Sequence, residues 1–553
     1  MSYVFARSAG LAALGWCLAV AAQAQASGAS AEAPSGQASG QSAESSAEAP
    51  EEERRLDIFN YRVEGNTVLS RSEVETAVMP YLGPQRKVSD VEAARVALIA
   101  AYHARGFETV DVQIPDQDGR GGVVRFQVSE YKVGRLRVTG SRHFSPEDIR
   151  KGVPSLAEGQ VPNYKAVSAD IASVNKSADR LITPTLRAGD TPGTVDVDLN
   201  VEDKLPLHGS FEINDRASGR TKRARIAASI GYNNLFQRGH SLNLQVQAVP
   251  EQLDQSLVVS ASYVAPVAGT PFTAVAYAVH SDSDVAALGD INVLGSGKIF
   301  GLRGIFSEVT GEGEGAWVHQ VTAGADYKDF EESLSFAGKS DKTPIDYGMV
   351  TLQYSLSQRT QTHDVDFGVG LSAGLRNTGS SNEVYSYKRY GAKANWVTLR
   401  GDAGYTHRYK GDWQVSGRLS AQYAGKPVIS NEQFSAGGLD SVRGYYEGQF
   451  LGDDGASAQV QIDFPSFHKW LGNWSNEARM FVFADGAALR TYLPLGEQKT
   501  SEKLASLGGG LKLRAFTRFN ASVVLAAPQV GAGNTLIDIG DDVRVHARVW
   551  TEF

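Results

Sequence analysis

The chain has 553 residues, too many for one ordinary core, with a formal net charge of -8 and a pI near 5.8. Several domains are therefore expected, and the balance excludes the basic face that a nucleic-acid binder presents to phosphates. Cys17 is the only cysteine, which excludes a disulfide framework and thiolate metal sites.

Residues 1–24 read as a secretory signal. Arg7 supplies a basic start, Ala9 to Ala22 is apolar, and Ala22-Gln23-Ala24 and Ala24-Gln25-Ala26 place small residues for cleavage. The alternative is an N-terminal anchor, but a spanning helix wants about 20 apolar residues. Residues 25–56 are rich in Ala, Ser, Gly and Glu and end in a charged run, Glu51 to Arg55. Such a stretch buries too little surface to offset its ordering entropy and reads as a flexible linker. It has no amphipathic stripe. No later stretch of 18 apolar residues occurs, so a membrane-embedded chain would have to be a barrel, which satisfies every backbone hydrogen bond.

An internal repeat follows. Arg62-Val63-Glu64-Gly65, Leu69-Ser70 and Glu73-Val74 recur as Arg137-Val138-Thr139-Gly140, Phe144-Ser145 and Asp148-Ile149. Each copy predicts a strand turning at Gly, then a Ser-capped helix with acidic residues at its positive end. Second helices are expected around Val91 to Arg105 and around Tyr164 to Ile182. Two short strands close each copy, with Val124, Phe126 and Val128 alternating in the first and Val195, Val197, Leu199 and Val201 in the second. Residues 57–131 and 132–204 are thus two small α+β modules, whose strand order leaves a sheet edge that an extended peptide could join.

From Leu205 helical periodicity gives way to alternation. Leu242, Leu244, Val246 and Ala248 enclose Asn243, Gln245 and Gln247, and Val365 to Leu375 makes another apolar row. In the last segment Val543, Val545, Ala547, Val549, Thr551 and Phe553 share one face and Arg544, His546, Arg548, Trp550 and Glu552 the other. This is the pattern of a strand between lipid and a wet lumen. Sixteen segments are expected, beginning near 207, 223, 241, 256, 271, 298, 316, 346, 363, 394, 411, 455, 477, 504, 517 and 543. Residues 205–553 have room for the ~9–11 residues a tilted strand needs at each. The expected fold is mainly β: a 16-stranded transmembrane antiparallel barrel behind two α+β modules.

The longest connection, about Lys426 to Asp454, carries Phe434, Leu439, Val442, Tyr445 and Tyr446, a heavy apolar load for an exposed loop. If it folds into its own barrel, Arg443 needs an anionic partner, because an unpaired guanidinium in a confined lumen is costly. Asp485 is the candidate. It shares a strand face with Phe481 and Phe483, and an Arg–carboxylate pair fixes geometry as well as charge. Alternatively Asp485 marks the strand end near a turn. Catalysis finds no support. Ser372 in Gly370-Leu371-Ser372-Ala373-Gly374 lies mid-strand rather than on a nucleophile elbow. Gly295-Ser296-Gly297-Lys298 lacks the first glycine and following hydroxyl of a phosphate loop. The ten His residues are scattered without metal spacing. No enzyme activity, metal or cofactor is expected.

Val442-Arg443-Gly444-Tyr445 resembles the VRGY/F signature of the two-partner secretion transporters, the hemolysin activation and secretion family. The resemblance covers essentially the whole mature chain. Val63-x-Gly65-Asn66-Thr67, Pro80-Tyr81-Leu82-Gly83 and Asn233-Asn234-Leu235 are similar too. It implies two POTRA modules, a sixteen-stranded barrel, the signature in the loop between strands eleven and twelve, and an Asp motif on strand thirteen. That matches the segment order above. It further implies a lumen loop, Val442 to Tyr445, whose Arg443 pairs with Asp485 beside Phe483. Trp550 and Phe553 are expected to form the C-terminal signal for barrel-assembly machinery. One departure stands out: Gly486 lies one position earlier than the family's Phe-x-Asp-x-Gly. The implied function is export of a cognate exoprotein, bound at periplasmic POTRA modules, across the outer membrane of a Gram-negative bacterium, in contact with its lipid. A barrel-assembly insertase or a passive channel is the alternative.

Overall fold

The computed structural model describes residues 55–117, 121–219, 221–251, 253–282, 285–288, 291–294, 296–311, 313–336, 339–496, 498–530 and 543–553. The expected signal and residues 25–54 of the expected linker lie outside them. The described residues form two compact units divided between Leu205 and Pro206.

In the first unit the repeat has the same construction twice. In each module the last strand is central: Val123–Glu130 lies between parallel Asn60–Glu64 and antiparallel Val110–Gln113, and Thr194–Asp203 between parallel Lys132–Thr139 and antiparallel Arg180–Ala188. The expected serine caps are present. Ser70 caps helix Arg71–Val78 in a reciprocal box with Glu73, and Ser145 caps Pro146–Lys151. Gly65 and Gly140 turn at φ +87° and +83°, where a Cβ would lie 2.3 Å from the Val128 carbonyl oxygen and 2.4 Å from that of Val201. Only glycine fits there. An acid at the end of each central strand ties down the next turn. Glu130 accepts N–H bonds from Thr67 and Val68 at 2.7 and 3.1 Å. Asp203 accepts them from Arg142, His143 and Phe144 at 2.8, 2.7 and 3.2 Å. Each module has its own core, around Leu98, Tyr102, Val112 and Phe126 in one and Ile149, Val153, Val197 and Leu199 in the other.

Two boundaries differ from expectation. The second helix of the second module is Tyr164–Val174 and stops well before Ile182. The Asn175 side chain exchanges two hydrogen bonds with the Ile182 backbone, and the Arg180 guanidinium caps the Val174 carbonyl at 2.7 Å. Ile182 therefore belongs to strand Arg180–Ala188. The end of the expected linker is also ordered, because Arg55–Ile58 pairs with Gly83–Lys87.

The second unit is a closed antiparallel barrel of sixteen strands. In chain order they are Leu207–Asn214, Arg225–Leu235, His240–Ala248, Val258–Pro266, Phe272–Ser281, Gly297–Thr310, Trp317–Phe336, Lys339–Arg359, His363–Gly374, Val397–Arg408, Gln414–Tyr423, Asp454–Asp463, Ser475–Arg490, Ser501–Ala515, Phe519–Pro528 and Arg544–Glu552. They are called barrel strands 1 to 16 below. Every expected segment coincides with one of them. Strand 8 starts earlier than expected because strands 7 and 8 form one ladder from Trp317↔Gln358 to Phe336↔Lys339. That hairpin is longer than a membrane crossing needs.

The alternation sorts the walls. Phe300, Leu302, Leu352, Phe367, Val545 and Val549 are exposed on the outside, as an apolar band facing lipid would be. Inside, charges are paired. Arg303 meets Asp326 at 2.7 Å, Arg548 meets Glu212 at 2.5 Å, and Lys512 meets Asp463. Strand 16 closes on strand 1 from Asn214↔Arg548 to Ser210↔Glu552, and Gly209 and Phe553 extend the seam by exchanging backbone hydrogen bonds at 3.0 and 3.1 Å. The Phe553 ring lies over Gly209, where a Cβ would come within 2.4 Å of it. Trp550 faces inward, 7 % exposed, with the Arg548 guanidinium 4.3 Å from its ring centroid.

Candidate functional site

Between barrel strands 11 and 12 the chain leaves the rim at Tyr423, turns into the barrel, and returns at Asp454. Its limbs zip together as a short ladder, Phe434–Ala436 against Phe450–Gly452. Two buried acids secure its base. Glu432 accepts from Lys328 and from the Tyr347 hydroxyl, each at 2.6 Å. Asp453 accepts from Arg389 at 2.9 Å and from the backbone N–H groups of Val428 and Tyr492 at 3.0 and 2.7 Å. Around this base Val428 and Ile429 join an aromatic cluster of Phe330, Tyr347, Tyr385 and Trp396. The heavy apolar load of the loop is thus accommodated by the barrel's own interior.

The tip holds the signature. Gly437 and Gly438, at φ +109° and +104°, bend the backbone, and the Gly438 N–H reaches back to the Val442 carbonyl at 3.2 Å. Val442 and Tyr445 are buried against Ala487, Leu489 and Leu504 of strands 13 and 14. Gly444 sits at φ +96° with Pro528 and Ala526 of strand 15 a little over 3 Å from where a Cβ would be. The Tyr445 hydroxyl donates to the Val530 carbonyl at 2.6 Å.

Arg443 meets Asp485 of strand 13. The Arg443 Nε and Nη2 each lie 2.7 Å from separate Asp485 oxygens, and the Arg443 backbone N–H adds a third bond at 3.1 Å. The remaining Nη1 donates to Gln461 Oε1 of strand 12 at 2.8 Å. The Phe483 ring lies flat below, its centroid 3.5 Å from Arg443 Cζ. The Asp485 side chain is 0 % exposed and that of Arg443 is 6 %. All three guanidinium nitrogens donate and one face lies on Phe483, which offsets the cost of carrying the charge inside the barrel. The early Gly486 causes no bulge. It pairs with Ala458 and Ala505 in regular ladders, and Ala487, where the family pattern has Gly, adds its methyl to the packing under Val442 and Tyr445.

Several residues of the site gave no signal in the sequence. Gln461 and His546, whose Nε2 lies 3.4 Å from the Gly444 nitrogen, are ordinary members of the polar strand face. Glu432 is one more polar loop residue, and its partners Lys328 and Tyr347 lie far off in the sequence. Trp550 and Phe553 lie apart from the Arg443 site, at the strand 1–16 seam. Among the described residues no group of His, Cys, Asp and Glu could hold a metal ion.

Two family models match the chain. Residues 56–130 match the POTRA domain of ShlB type, and residues 345–513 match the haemolysin secretion/activation protein ShlB/FhaC/HecB. The second match runs through both Arg443 and Asp485. The outer membrane transporter CdiB of Dickeya dadantii (strain 3937) is 22 % identical over 471 residues, covering 81 % of this chain and 78 % of that one. CdiB of Escherichia coli is 23 % identical over 172 residues, covering 31 % and 29 %. Among solved structures, CdiB from Escherichia coli aligns with a TM-score of 0.61 at 17 % identity over 93 % of both chains. BamA from Haemophilus ducreyi lacking POTRA domains 1–3 aligns at 0.52 and 14 % identity, over 90 % of this chain and 100 % of that one. At such identities the structures speak for the fold alone. Together with the family models, the comparisons bear out the resemblance, read from the loop and strand motifs, to transporters of the two-partner secretion type.

Proposed function

We propose that this transporter binds a cognate exoprotein at its two N-terminal modules in the periplasm and passes it through the barrel to the cell surface, with the loop at Val442 to Tyr445 as the gate of the lumen. The observation that carries the reading is the buried Arg443–Asp485 pair, which fastens a 30-residue-scale loop inside a barrel that would otherwise be a channel. A pair of this kind fixes one geometry strongly, yet its loss frees the loop from the wall.

On this reading residues 57–131 and 132–204 are the two capture modules and 205–553 the membrane barrel, behind a cleaved signal (1–24) and a linker. Capture would use edge strands. Among the described residues Arg180–Ala188 and Val110–Gln113 each pair on one side only, and Leu181, Leu186 and Ile114 are exposed beside them. An extended polypeptide could add a strand there through backbone bonds alone. The apolar outer band contacts outer-membrane lipid. Trp550 and Phe553 serve recognition by the barrel-assembly machinery during insertion. Transport needs no chemical step at the site; folding of the exoprotein outside makes return unfavourable.

The test is Arg443→Glu, which sets two carboxylates against each other at a desolvated position. Export of the cognate protein should be abolished while folded barrel remains in the membrane at normal level. Normal export by that variant would overturn the gate.

A further inference from the structure

The tip of the lumen loop has a second fastening, to the segment that follows barrel strand 1. Arg216 lies in the connection directly after barrel strand 1. Its Nη2 is 2.6 Å from Asp440 Oδ2, and its Nε faces Glu447 Oε1 at 3.9 Å. Asp440 and Glu447 flank Val442 to Tyr445, one on each limb of the tip. The Glu447 N–H donates to the Ala217 carbonyl at 3.1 Å, and the Glu447 carboxylate accepts from the Leu439 N–H at 3.1 Å. The two limbs are thus held together and joined to residues 216 and 217. The preceding residue, Asp215, accepts the Ala547 N–H of strand 16 at 3.1 Å and faces His546 Nδ1 at 3.2 Å. His546 in turn stands under Gly444. This three-residue segment therefore touches both the loop tip and the seam where strand 16 closes the barrel on strand 1. The seam is short: five register pairs, Asn214↔Arg548 to Ser210↔Glu552, against eight where strand 1 meets strand 2.

We propose that Arg216 is a second positioning residue for the lumen loop: a latch that holds both limbs of the tip through Asp440 and Glu447 and anchors them at the strand 1–16 seam. The proposal rests on the gate reading above and extends it. Arg443 fixes the tip to strands 12 and 13, and Arg216 fixes it to the segment after strand 1, four strands on from strand 13. The two ties are unequal. The Arg443 pair is sealed, whereas Asp440 is 45 % exposed and Arg216 17 %. A half-exposed pair is weaker and more open to salt than a buried one, so the latch yields first and the Arg443 pair last.

The experiment measures ion conductance of the purified full-length chain in planar lipid bilayers, alongside export in cells, with folded barrel checked by its heat-dependent gel mobility. Arg216→Glu opposes Asp440 and Glu447 and should raise the fraction of time spent open about tenfold, a shift of ~1.4 kcal/mol. The paired exchange Arg216→Glu with Asp440→Arg should return the trace towards the quiet baseline, and 1 M salt should raise conductance events of the unaltered chain more than those of Arg216→Gln. Arg443→Glu is run beside them. If it disturbs conductance and export while Arg216→Glu and Arg216→Gln both behave like the unaltered chain, the latch is refuted and the gate stands. If Arg216→Glu opens the channel but the exchange with Asp440 does not restore it, the pair is not the cause and the latch is again refuted. If Arg443→Glu itself is silent, the gate reading falls and the latch with it.

Discussion

Replacing Asp485 by Asn tests how firmly the loop is held. The substitution keeps size and one acceptor but removes the charge facing Arg443, whose guanidinium makes two 2.7 Å bonds to that carboxylate. Both side chains are almost fully buried, so the change leaves a guanidinium out of water with one amide oxygen, Gln461 and the Phe483 face in place of a carboxylate. Removing one member of a buried pair costs ~3–5 kcal/mol. Because Asn retains one acceptor we take the lower end, ~3 kcal/mol, which multiplies the undocked population by about 100. Val442→Cys provides the reporter, since Val442 is 0 % exposed when the loop is docked and Cys17 is the chain's only native cysteine. Thiol labelling of the docked loop must wait for local opening, so its rate follows the undocked fraction. The Asp485→Asn background should speed labelling by about that factor of 100, while a cysteine placed at exposed Leu493 labels at an unchanged rate. Equal labelling of Val442→Cys in both backgrounds would refute the claim that the pair holds the loop.

Gly444→Ala should loosen the same loop less severely. Its φ of +96° and the nearby Pro528 imply about 1–3 kcal/mol of strain, read as an intermediate labelling rate at Val442→Cys. In the second module, burial alone would raise the Asp203 carboxyl, but the His143, Arg142 and Phe144 N–H groups hold it below the usual carboxylate range. The folded pKa being depressed, its stabilisation is complete above the unfolded value of about 3.9 and is lost as pH falls through the folded one. Hydrogen-exchange protection of the Arg142 to Phe144 amides in the full chain should therefore weaken below about pH 4, and Asp203→Asn should flatten that dependence. Gly209→Val should lower the temperature at which the folded barrel band is lost, because its side chain would collide with the Phe553 ring lying 2.4 Å from the Cβ position; an unchanged midpoint would remove Phe553 from the seam's stability.

The barrel was legible because lipid and lumen impose opposite chemistry on alternate residues. The row Val543 to Phe553 against Arg544 to Glu552 needed no partner to be read. The serine caps and the repeated glycine turns were equally local. Arg443 and Asp485 were legible for a different reason: each was costly unless the other existed. What escaped had neither property. Gln461, His546 and Arg216 are acceptable on any wet face, and only the folded loop makes them a set. Arg55–Ile58 looked like the end of a solvated run because its partner, Gly83–Lys87, lies beyond a helix. The early stop at Val174 depended on a side-chain exchange between Asn175 and Ile182, which helical periodicity does not register.

The central claim is export, and the most direct measurement compares the secreted and surface-attached proteins of cells with the chain, without it, and with it restored. The account predicts that one cognate protein, or a very small set, disappears from the medium and surface without the chain and returns with it, while other outer-membrane barrels keep their levels. An unchanged set of exported proteins, or a general loss of other barrels, would contradict it.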